Sequence, residues 1–401
     1  MDKKRLTRRQ FVKGVSATCA YGNLLFNPFS LGSALGKDQE REGAKTLPDM
    51  EYRILGKTGL KVSALSFGVM RLTEPAVLFE ALKRGINYFD TAHIYQNGNN
   101  EKMLGRVLKD YGRAEVFVAT KIPPYRRAMG LKVMRDTHEM EQMMDKSLQR
   151  LQTDYVDVLF LHNIEDPKWP VNEEMIAFLE KQKKAGKARF AGISFHVEGS
   201  RYVEIVNQAL KANCYDVFLA THNFTSPPEH IEALRLAQRR KVGIVAMKTQ
   251  AGGYGKGARA GFSPHQAALR WVLDHDFVAC AIPGMVNREQ LQQNMAAIGK
   301  KPGWGDRKVL DTYYAAVRDR YCVGCGQCAS SCSKNVDVPT IHRSLMYWEG
   351  YEDPALARAT YRELSTEENA TACMSCSRPT CRCVNGIKIA ERMRHAHTML
   401  A

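Results

Sequence analysis

The sequence predicts an α/β protein, a closed (β/α)₈ or TIM barrel followed by a small cysteine-rich domain. The chain has 401 residues, 44% of them hydrophobic, which is enough for one barrel of roughly 250 residues and a further domain. Between residues 50 and 305, short β-rich runs alternate with amphipathic helical stretches. Eight of the 11 cysteines lie between Cys322 and Cys383. Together these observations divide the chain into a leader at 1–36, a barrel at 50–305 and a tail at 315–401.

The barrel prediction depends on eight short apolar runs that resemble buried strands. They are 62–68, 88–91, 116–120, 156–161, 190–194, 217–220, 243–247 and 278–282. Helical patterns lie between them, at 78–82, 100–111, 140–151, 173–185 and 264–274. Such alternation indicates a parallel barrel. An open doubly wound sheet is the alternative, but no Gly-x-Gly-x-x-Gly follows an early strand, and 252–255 is a loop.

The formal charge is +16, which raises the question of a nucleic-acid partner. Six of the basic residues lie in the first 13 positions, against one acid, Asp2. The remaining charge is dispersed, and no basic run is interleaved with aromatic residues. A basic solvated surface with a basic leader is therefore preferred to nucleic-acid binding.

The leader carries a charged start and then Thr-Arg-Arg-Gln-Phe-Val-Lys at 7–13. This segment resembles a twin-arginine export signal, which implies passage of the folded protein through the twin-arginine export machinery to the periplasm. The weakly apolar stretch at 14–36 contains Asn23, Asn27 and Pro28, so it is too polar to span a membrane. Cleavage is expected near 33–36. If the leader is only a frayed basic terminus, the protein is cytoplasmic.

Four ionisable residues follow three successive strands. Asp90 ends the second strand, Tyr95 lies in the next loop, Lys121 ends the third strand and His162 ends the fourth. Because barrel chemistry occurs at the carboxyl ends of the strands, these side chains should converge on one mouth.

The motifs around these positions resemble those of the aldo/keto reductase family. Phe-Asp-Thr-Ala-His-Ile-Tyr at 89–95 and Asn-Glu-Lys-Met-Leu-Gly at 100–105 resemble the family signature, and 51–60 resembles its bottom hairpin. Motifs at 119–121, 161–163, 192–194 and 282–284 follow in family order. The resemblance covers about residues 50–300. It implies hydride transfer between a nicotinamide cofactor and a small carbonyl or alcohol substrate.

The resemblance also implies a role for each of the four residues. Tyr95 would donate the proton to the carbonyl oxygen, and the Lys121 ammonium would lower the pKa of this phenol. Asp90 would hold Lys121 charged and aimed. His162 would orient the carbonyl and share its developing negative charge.

The cofactor contacts transfer less completely. The positions expected to hold NADP or NAD are Val69, Met70, Asp90, Ser194, Lys248, Gly284, Arg288, Gln290, Gln293 and Asn294. Phe195 replaces the usual Asn after Ser194, and Met285 and Val286 stand where the family often binds a 2′-phosphate. The choice between NADP and NAD therefore stays open, with NADP favoured by family habit. An ordinary polar helix face is the alternative reading of 290–294.

The tail begins its cysteine pattern with Cys322, Cys325, Cys328 and Cys332, the spacing of a bacterial 4Fe–4S ferredoxin. Ser333 replaces the usual Pro. A second set follows in the order Cys373, Cys376, Cys381, Cys383, with the third ligand displaced, since Pro379 occupies its regular place. In the two-cluster pattern, Cys383 joins the first three cysteines of the first run, and Cys332 joins the second set.

Other readings of the tail remain open. Zinc is possible with paired Cys-x₂-Cys units, and disulfides are possible in an exported protein. Cys214 and Cys280 are expected to be buried barrel residues, and Cys19 lies in the leader. The main functional hypothesis is an enzyme with an electron-transfer tail and an electron-transfer partner. The alternative is an iron–sulfur electron carrier or redox sensor that uses the barrel as a scaffold.

Overall fold

The computed structural model describes residues 50–401, except 129–130, 198, 254–262, 326, 329–330, 333 and 335. The leader at 1–36 and the predicted cleavage region lie outside the described residues. Within the described part of the chain, no helix is both long and apolar enough to cross a bilayer.

Eight parallel strands form the barrel that the sequence predicts. Their order around the sheet is β12-β11-β10-β9-β8-β5-β4-β3, and two parallel bridges, Leu65 to Ala281 and Gly68 to Gly284, join the first strand to the last. The strands are β3 (Phe67–Gly68), β4 (Tyr88–Asp90), β5 (Phe117–Ile122), β8 (Val156–Leu161), β9 (Ala188–Phe195), β10 (Val217–Thr221), β11 (Gly243–Met247) and β12 (Cys280–Ala281).

Helices surround the sheet and continue into the tail. On the barrel they are α1 (Pro75–Lys83), α2 (Asn99–Tyr111), α3 (Thr137–Leu151), α4 (Glu173–Lys184), α5 (Ser200–Ala212), α6 (Pro228–Arg239), α7 (Pro264–Leu273) and α8 (Arg288–Met295). The later ones are α9 (Trp304–Val317), α10 (Val338–Glu349), α11 (Pro354–Arg362), α12 (Thr371–Met374) and α13 (Ile389–Leu400). Proline or an Asn, Asp or Ser cap starts several of them.

The first predicted strand, 62–68, is in fact two strands. β2 (Lys61–Ser63) pairs antiparallel with β1 (Tyr52–Ile54), and only Phe67–Gly68 enters the barrel as β3. The chain turns at Gly59, whose φ of 70° suits glycine. The side chains of Leu55, Leu60 and Val62 pack into the interior core with strand residues, so the hairpin closes the bottom of the barrel.

A second hairpin, β6 (Tyr125–Ala128) with β7 (Leu131–Met134), follows β5. This hairpin is not predictable from the sequence pattern, because its residues carry little of the apolar alternation that marks the barrel strands. It extends the loop after the third barrel strand at the same end as the predicted catalytic residues.

The tail has its own core and also packs on the barrel. Ile341, Leu345, Tyr361 and Met393 are among the buried residues that bring α10, α11 and α13 together. A separate apolar cluster joins the barrel to the tail through Ala267 and Ala268 on α7, Leu310, Tyr313 and Val317 on α9, and Met346 on α10. Helix α9 therefore bridges the predicted boundary between 305 and 315.

Candidate active site

The strand register brings the four predicted residues to one end of the barrel. Asp90 is the last residue of β4, Lys121 is next to last in β5, and His162 directly follows β8. Asp90 pairs with Ala119, and Lys121 pairs with Phe160. Neighbouring parallel strands therefore carry the side chains into the same mouth, while Tyr95 reaches it from the loop after β4.

Lys121 is the centre of this group. Its ammonium donates hydrogen bonds to the Asp90 carboxylate and to the Thr91 carbonyl, the latter at 2.6 Å. It also lies 3.3 Å from the Tyr95 hydroxyl oxygen and 4.7 Å from the centre of that ring. Asp90 and Lys121 are only 3% and 1% exposed, so little solvent screens their charges.

Burial controls the protonation of this group. Burial raises the pKa of Asp90, although Lys121 acts in the opposite direction, and burial lowers the pKa of Lys121 against the pull of Asp90. Burial and then the Asp90 carboxylate hold the pKa of Tyr95 well above its usual value. The lowering of the Tyr95 pKa by Lys121 that the resemblance implies stays a prediction, because burial of the phenol is the largest influence on its pKa in this state. The phenol keeps its proton.

His162 packs edge-on against Tyr95, with the ring centres 5.7 Å apart. Burial, then the charges of Lys121 and Arg343, hold the pKa of His162 well below its usual value, so the ring is neutral at pH 7. Its buried Nδ1 has no hydrogen-bond partner among the described residues. A neutral imidazole beside Tyr95 can donate a hydrogen bond from its ring N–H to a carbonyl oxygen.

The catalytic cavity, as we call it, has a volume of about 350 Å³ and opens beside Asp90, Tyr95 and Lys121. It extends along the carboxyl ends of β11 and β12 to helix α8. Seven of the predicted cofactor positions line it: Met70, Asp90, Lys248, Gly284, Gln290, Gln293 and Asn294. The structure thus brings one end of the predicted cofactor site next to the four polar residues.

Three predicted cofactor positions do not line the catalytic cavity. Val69 is buried in the core, and its carbonyl accepts a hydrogen bond from Asn100. The Ser194 hydroxyl accepts a 2.8 Å hydrogen bond from the backbone N–H of Asn163, so a strand-to-loop contact already uses it. Arg288 begins helix α8 and is exposed to solvent.

Several residues that the sequence analysis did not select line the same cavity. Thr249 is 1% exposed, and its hydroxyl has no hydrogen-bond partner among the described residues. Tyr347 and Tyr351 reach the cavity from the tail, at and just beyond helix α10. Their positions could not be predicted from the barrel pattern, because they come from the tail, far along the chain from the catalytic loops.

Arg71, in the first loop at the mouth, holds the end of α10 in place. Its guanidinium donates to the carbonyl of Tyr351, lies 4.6 Å from the Tyr351 ring centre, and forms an ion pair with Asp353 at 3.7 Å. Nearby, a Cβ on Gly350 would lie 2.0 Å from the carbonyl oxygen of Gly252. The two backbones therefore touch, and the tail forms one wall of the catalytic cavity.

The tail cysteines fall into two spatial groups. Cys322, Cys325, Cys328 and Cys383 line one small cavity. Burial, and less strongly the other three thiols, raise the pKa of Cys322 to about 12. The second group surrounds Cys373, whose pKa burial and the thiols of Cys332, Cys381 and Cys376 raise to about 11. The ten cysteines in the described residues are free thiols, and Cys280 is buried while Cys214 is half-buried.

Cys381, the displaced cysteine of the second set, lies in a loop that hydrogen bonds hold against Ser331. Thr380 donates to the carbonyl of Ser331, and the N–H of Arg382 donates to the Ser331 hydroxyl at 3.1 Å. These contacts hold Cys381 beside Cys332. Among the described residues, no group of three or more His, Cys, Asp or Glu side chains is close enough to hold a single metal ion. A cube binds each thiolate at a different iron corner, so its ligands lie farther apart.

Comparison with known proteins identifies the barrel. A model of the aldo/keto reductase family matches residues 71–260 and 256–302, more than half of the chain. The chain therefore belongs to the aldo/keto reductase family, a family of oxidoreductases. The match ends before the cysteine-rich tail.

Individual relatives agree with this assignment. L-galactose dehydrogenase of Arabidopsis thaliana is 40% identical over 158 residues, covering 36% of this chain and 48% of that protein. The uncharacterized oxidoreductase YrpG of Bacillus subtilis is 29% identical over 300 residues, covering 62% of this chain and 91% of YrpG. The solved aldo-keto reductase AKR11C1 of Bacillus halodurans, in its holo form, has a TM-score of 0.55 at 28% identity. It covers 66% of this chain and 96% of that one.

Proposed function

We propose that the barrel reduces the carbonyl group of a small molecule, or oxidises the corresponding alcohol, with NADPH or NADH as the partner in hydride transfer. The observation that carries the proposal is the position of the Lys121 ammonium between the Asp90 carboxylate and the Tyr95 hydroxyl. A scaffold barrel has no need of this buried, mutually supporting arrangement. The nicotinamide, when bound, supplies the hydride to the carbonyl carbon.

The residues of the chain supply the rest of the chemistry. Tyr95 carries a proton at neutral pH and can donate it to the carbonyl oxygen as negative charge develops there. The phenolate that remains is then stabilised by Lys121, which Asp90 keeps in place. Neutral His162 orients the same oxygen by a hydrogen bond. The buried position of these groups excludes water and strengthens each interaction.

The chain offers polar groups that suit a dinucleotide. Lys248 lies at the mouth after β11, and the unpartnered hydroxyl of Thr249 faces the same cavity. Gln290, Gln293 and Asn294 provide amide groups at the far end. Because Arg288 is exposed and lies outside the cavity wall, it remains available for the 2′-phosphate of NADP, but NAD is equally compatible with the amides alone.

Replacement of Tyr95 tests the proposed role directly. Tyr95→Phe keeps the ring that packs on His162 but removes the proton, so carbonyl reduction should fall by about 10²-fold or more. Nucleotide affinity, measured by quenching of protein fluorescence with NADPH and with NADH, should change less than about threefold, about 0.7 kcal/mol. A variant that reduces an aldehyde at most of the wild-type rate would remove Tyr95 from the mechanism.

We further propose that the tail holds iron–sulfur clusters of the 4Fe–4S type. The support is the sorting of eight thiols into two groups of four, in the pairing that the ferredoxin-like pattern predicts. Backbone N–H groups of Gly324 and Asn385 donate to the sulfurs of Cys322 and Cys383, each at 3.4 Å, as is usual around clusters. Anaerobically purified protein should then be brown and contain iron and acid-labile sulfide.

The clusters imply an electron-transfer partner, and the leader implies a location. Because a hydride carries two electrons and a cluster passes one, a relay of both clusters would be needed to exchange electrons with the barrel. The resemblance of residues 7–13 to a twin-arginine signal favours export to the periplasm. Arg8→Lys with Arg9→Lys should hold the protein in the cytoplasm, and unchanged export of this double variant would refute the signal.

A further inference from the structure

A second cavity, of about 300 Å³, lies beside the catalytic cavity between the barrel and the tail. Three residues, His196, Lys248 and Met346, line both cavities, so the two are adjacent. The far side of the second cavity reaches Cys322 of the first cysteine group. The hydride transfer proposed for the catalytic cavity does not require this second cavity.

Three cationic side chains line the second cavity: Arg201, Lys248 and Arg343. Arg343 comes from helix α10. Its guanidinium is partly buried, and its one hydrogen bond within the described residues is a long one, 3.4 Å, to the Thr340 hydroxyl. No carboxylate of a described residue lies within the 4.0 Å of an ion pair. Burial opposes the charge of Arg343, but Tyr347, Glu165, Tyr125 and Asp337 together raise its pKa, so the guanidinium stays charged. Its planar fork suits a carboxylate.

Three carboxylates line the second cavity, and each accepts a hydrogen bond from a group other than Arg343. Asp337 caps helix α10 by accepting from the N–H of Thr340 at 3.0 Å. Glu165 accepts from the Asn163 amide at 2.6 Å, and Glu368 accepts from the N–H of Ser365 at 3.2 Å. Glu165 and Asp337 act electrostatically on Arg343, so they reduce the positive potential of the cavity. A singly charged carboxylate suits this balance better than a doubly charged phosphate, which the three acids would repel.

Arg343 lies within electrostatic reach of the catalytic group. Its charge is one of those that lower the pKa of His162 and of His196. The buried Nδ1 of His196, on the shared wall, has no hydrogen-bond partner among the described residues. A ligand that spans both cavities would therefore meet a polar group on the wall between them.

We propose that Arg343 binds a carboxylate of the substrate in the second cavity, while the substrate carbonyl lies in the catalytic cavity at Tyr95 and His162. The preferred substrates are then short carbonyl acids. This inference rests on the proposed carbonyl reduction. It also gives the tail a part in substrate choice, since Arg343 belongs to the cysteine-rich domain.

The first test compares two four-carbon aldehydes that differ in one end group, succinic semialdehyde and butanal. Wild type should prefer the acid by tenfold or more in kcat/KM. Arg343→Met should lower kcat/KM for the acid by about 10-fold to 10²-fold, in line with about 1.5–3 kcal/mol for a charged hydrogen bond. The value for butanal should change less than about threefold, or 0.7 kcal/mol. Arg343→Lys should restore part of the preference. Arg358→Met, which removes a charge from an exposed arginine stacked on Trp348, is the matched control and should behave as wild type.

The second test needs no turnover and separates the inference from the proposed function. Binding of butanoate, which carries a single carboxylate, measured by calorimetry on the full-length protein, should weaken at least tenfold in Arg343→Met and remain in Tyr95→Phe. If wild type binds no butanoate, or if Arg343→Met binds it equally well, the carboxylate site is wrong even if aldehydes are reduced. If butanoate binds through Arg343 but neither aldehyde is reduced, carbonyl reduction fails and the binding site stands.

The iron content of Arg343→Met distinguishes substrate binding by Arg343 from a role in holding a cluster. A guanidinium beside Cys322 could instead balance the negative charge of a cluster. In that case Arg343→Met would lose iron and leave the ratio between the two aldehydes unchanged, which would overturn the substrate role. Iron equal to wild type together with a lost preference supports it.

Discussion

Lys121 shows how individual residues make the site. The ammonium is almost fully buried, so it must be compensated, and Asp90 and the Thr91 carbonyl supply that compensation. Its remaining direction faces the Tyr95 hydroxyl. A buried ion pair by itself adds little stability, because removing both charges from water costs free energy. The Lys121–Asp90 pair is therefore better explained by its role at the Tyr95 hydroxyl than by a contribution to folding.

The sequence located Asp90, Tyr95, Lys121 and His162 correctly at one mouth, because the rule that chemistry lies at strand ends needs only the strand boundaries. It did not predict that the Ser194 hydroxyl accepts a hydrogen bond from the Asn163 backbone. A hydrogen bond between a loop and the next strand leaves no mark in a single sequence. The same applies to Thr249 and Arg343, whose neighbours are distant along the chain.

Replacement of Cys381 tests the role of a single cysteine in holding a cluster. If both groups of thiols hold cubes, wild type should contain about eight iron atoms per chain and Cys381→Ser about four. The physical reason is that Ser331 ties the loop of Cys381 to Cys332, so this sulfur takes the place that the regular spacing would give to residue 379. Iron and sulfide analysis of anaerobic protein measures it.

Cys214 provides a matched control for that experiment, since it lies in the barrel, away from both groups. Cys214→Ser should retain the iron of wild type. About four iron atoms in wild type, with no change in Cys381→Ser, would mean that only the first group holds a cluster. Zinc in place of iron would remove the electron-transfer role of the tail.

At the scale of elements, the sequence predicted long, strongly apolar strands best. The strands 156–161 and 243–247 agree with the structure to the residue, since both are fully buried runs. The first run was wrong, because a continuous apolar pattern does not reveal that the chain leaves one sheet and enters another between Ser63 and Phe67. The final strand is shorter than predicted, with only Cys280 and Ala281 in the ladder.

The contact between the end of α10 and the loop after β11 can be tested by a substitution at Gly350. In Gly350→Ala the new Cβ would overlap the Gly252 carbonyl, 2.0 Å away, so the end of α10 must move from the barrel. We expect a loss of about 1–3 kcal/mol in unfolding free energy, typical of overpacking. The KM for an aldehyde should rise as the wall formed by Tyr347 and Tyr351 shifts. Denaturant unfolding and steady-state kinetics measure the two effects.

Gly303→Ala is the control for this substitution. Its φ is −95°, and a Cβ there would meet only the Asp306 carboxylate, at 3.8 Å. Its KM should equal that of wild type. If Gly350→Ala also left stability and KM unchanged, the tail would not form a tight wall of the catalytic cavity.

At the scale of the whole molecule, barrel and tail belong to one compact unit. The sequence placed a boundary between 305 and 315, but α9 crosses that interval and binds the barrel through an ion pair between Arg270 and Asp306 at 2.6 Å. A change in composition marks a difference in chemistry between segments. It does not reveal whether the segments share an interface.

The protein should lose stability in mild acid. His222 is fully buried among Trp271, His275 and Phe277, and burial, with the neighbouring histidines, lowers its pKa to about 3. Its unfolded pKa is about 6.5, so below that pH the unfolded chain binds a proton that the folded chain refuses. Stability is therefore full above pH 6.5 and falls as the pH drops toward 3. The loss at pH 5 is about 2 kcal/mol from this residue.

His222→Phe isolates this contribution, because the aromatic packing is retained and the titration is removed. The difference in unfolding free energy between pH 7.5 and pH 5.0 should shrink in the variant by about 2 kcal/mol. Denaturant unfolding at the two pH values measures it. An equal pH dependence in both proteins would show that His222 is protonated, or solvated, in the folded state.

The central claim is that the barrel transfers a hydride directly between a nicotinamide and a carbonyl carbon beside Tyr95. The most direct measurement is reduction of an aldehyde with NADPH that carries deuterium at both positions of C4, followed by mass spectrometry of the alcohol. We predict a deuterium on the carbinol carbon of the wild-type product, and loss of product formation in Tyr95→Phe. An unlabelled alcohol would mean that the electrons arrive by another route, through the tail, and would contradict the account.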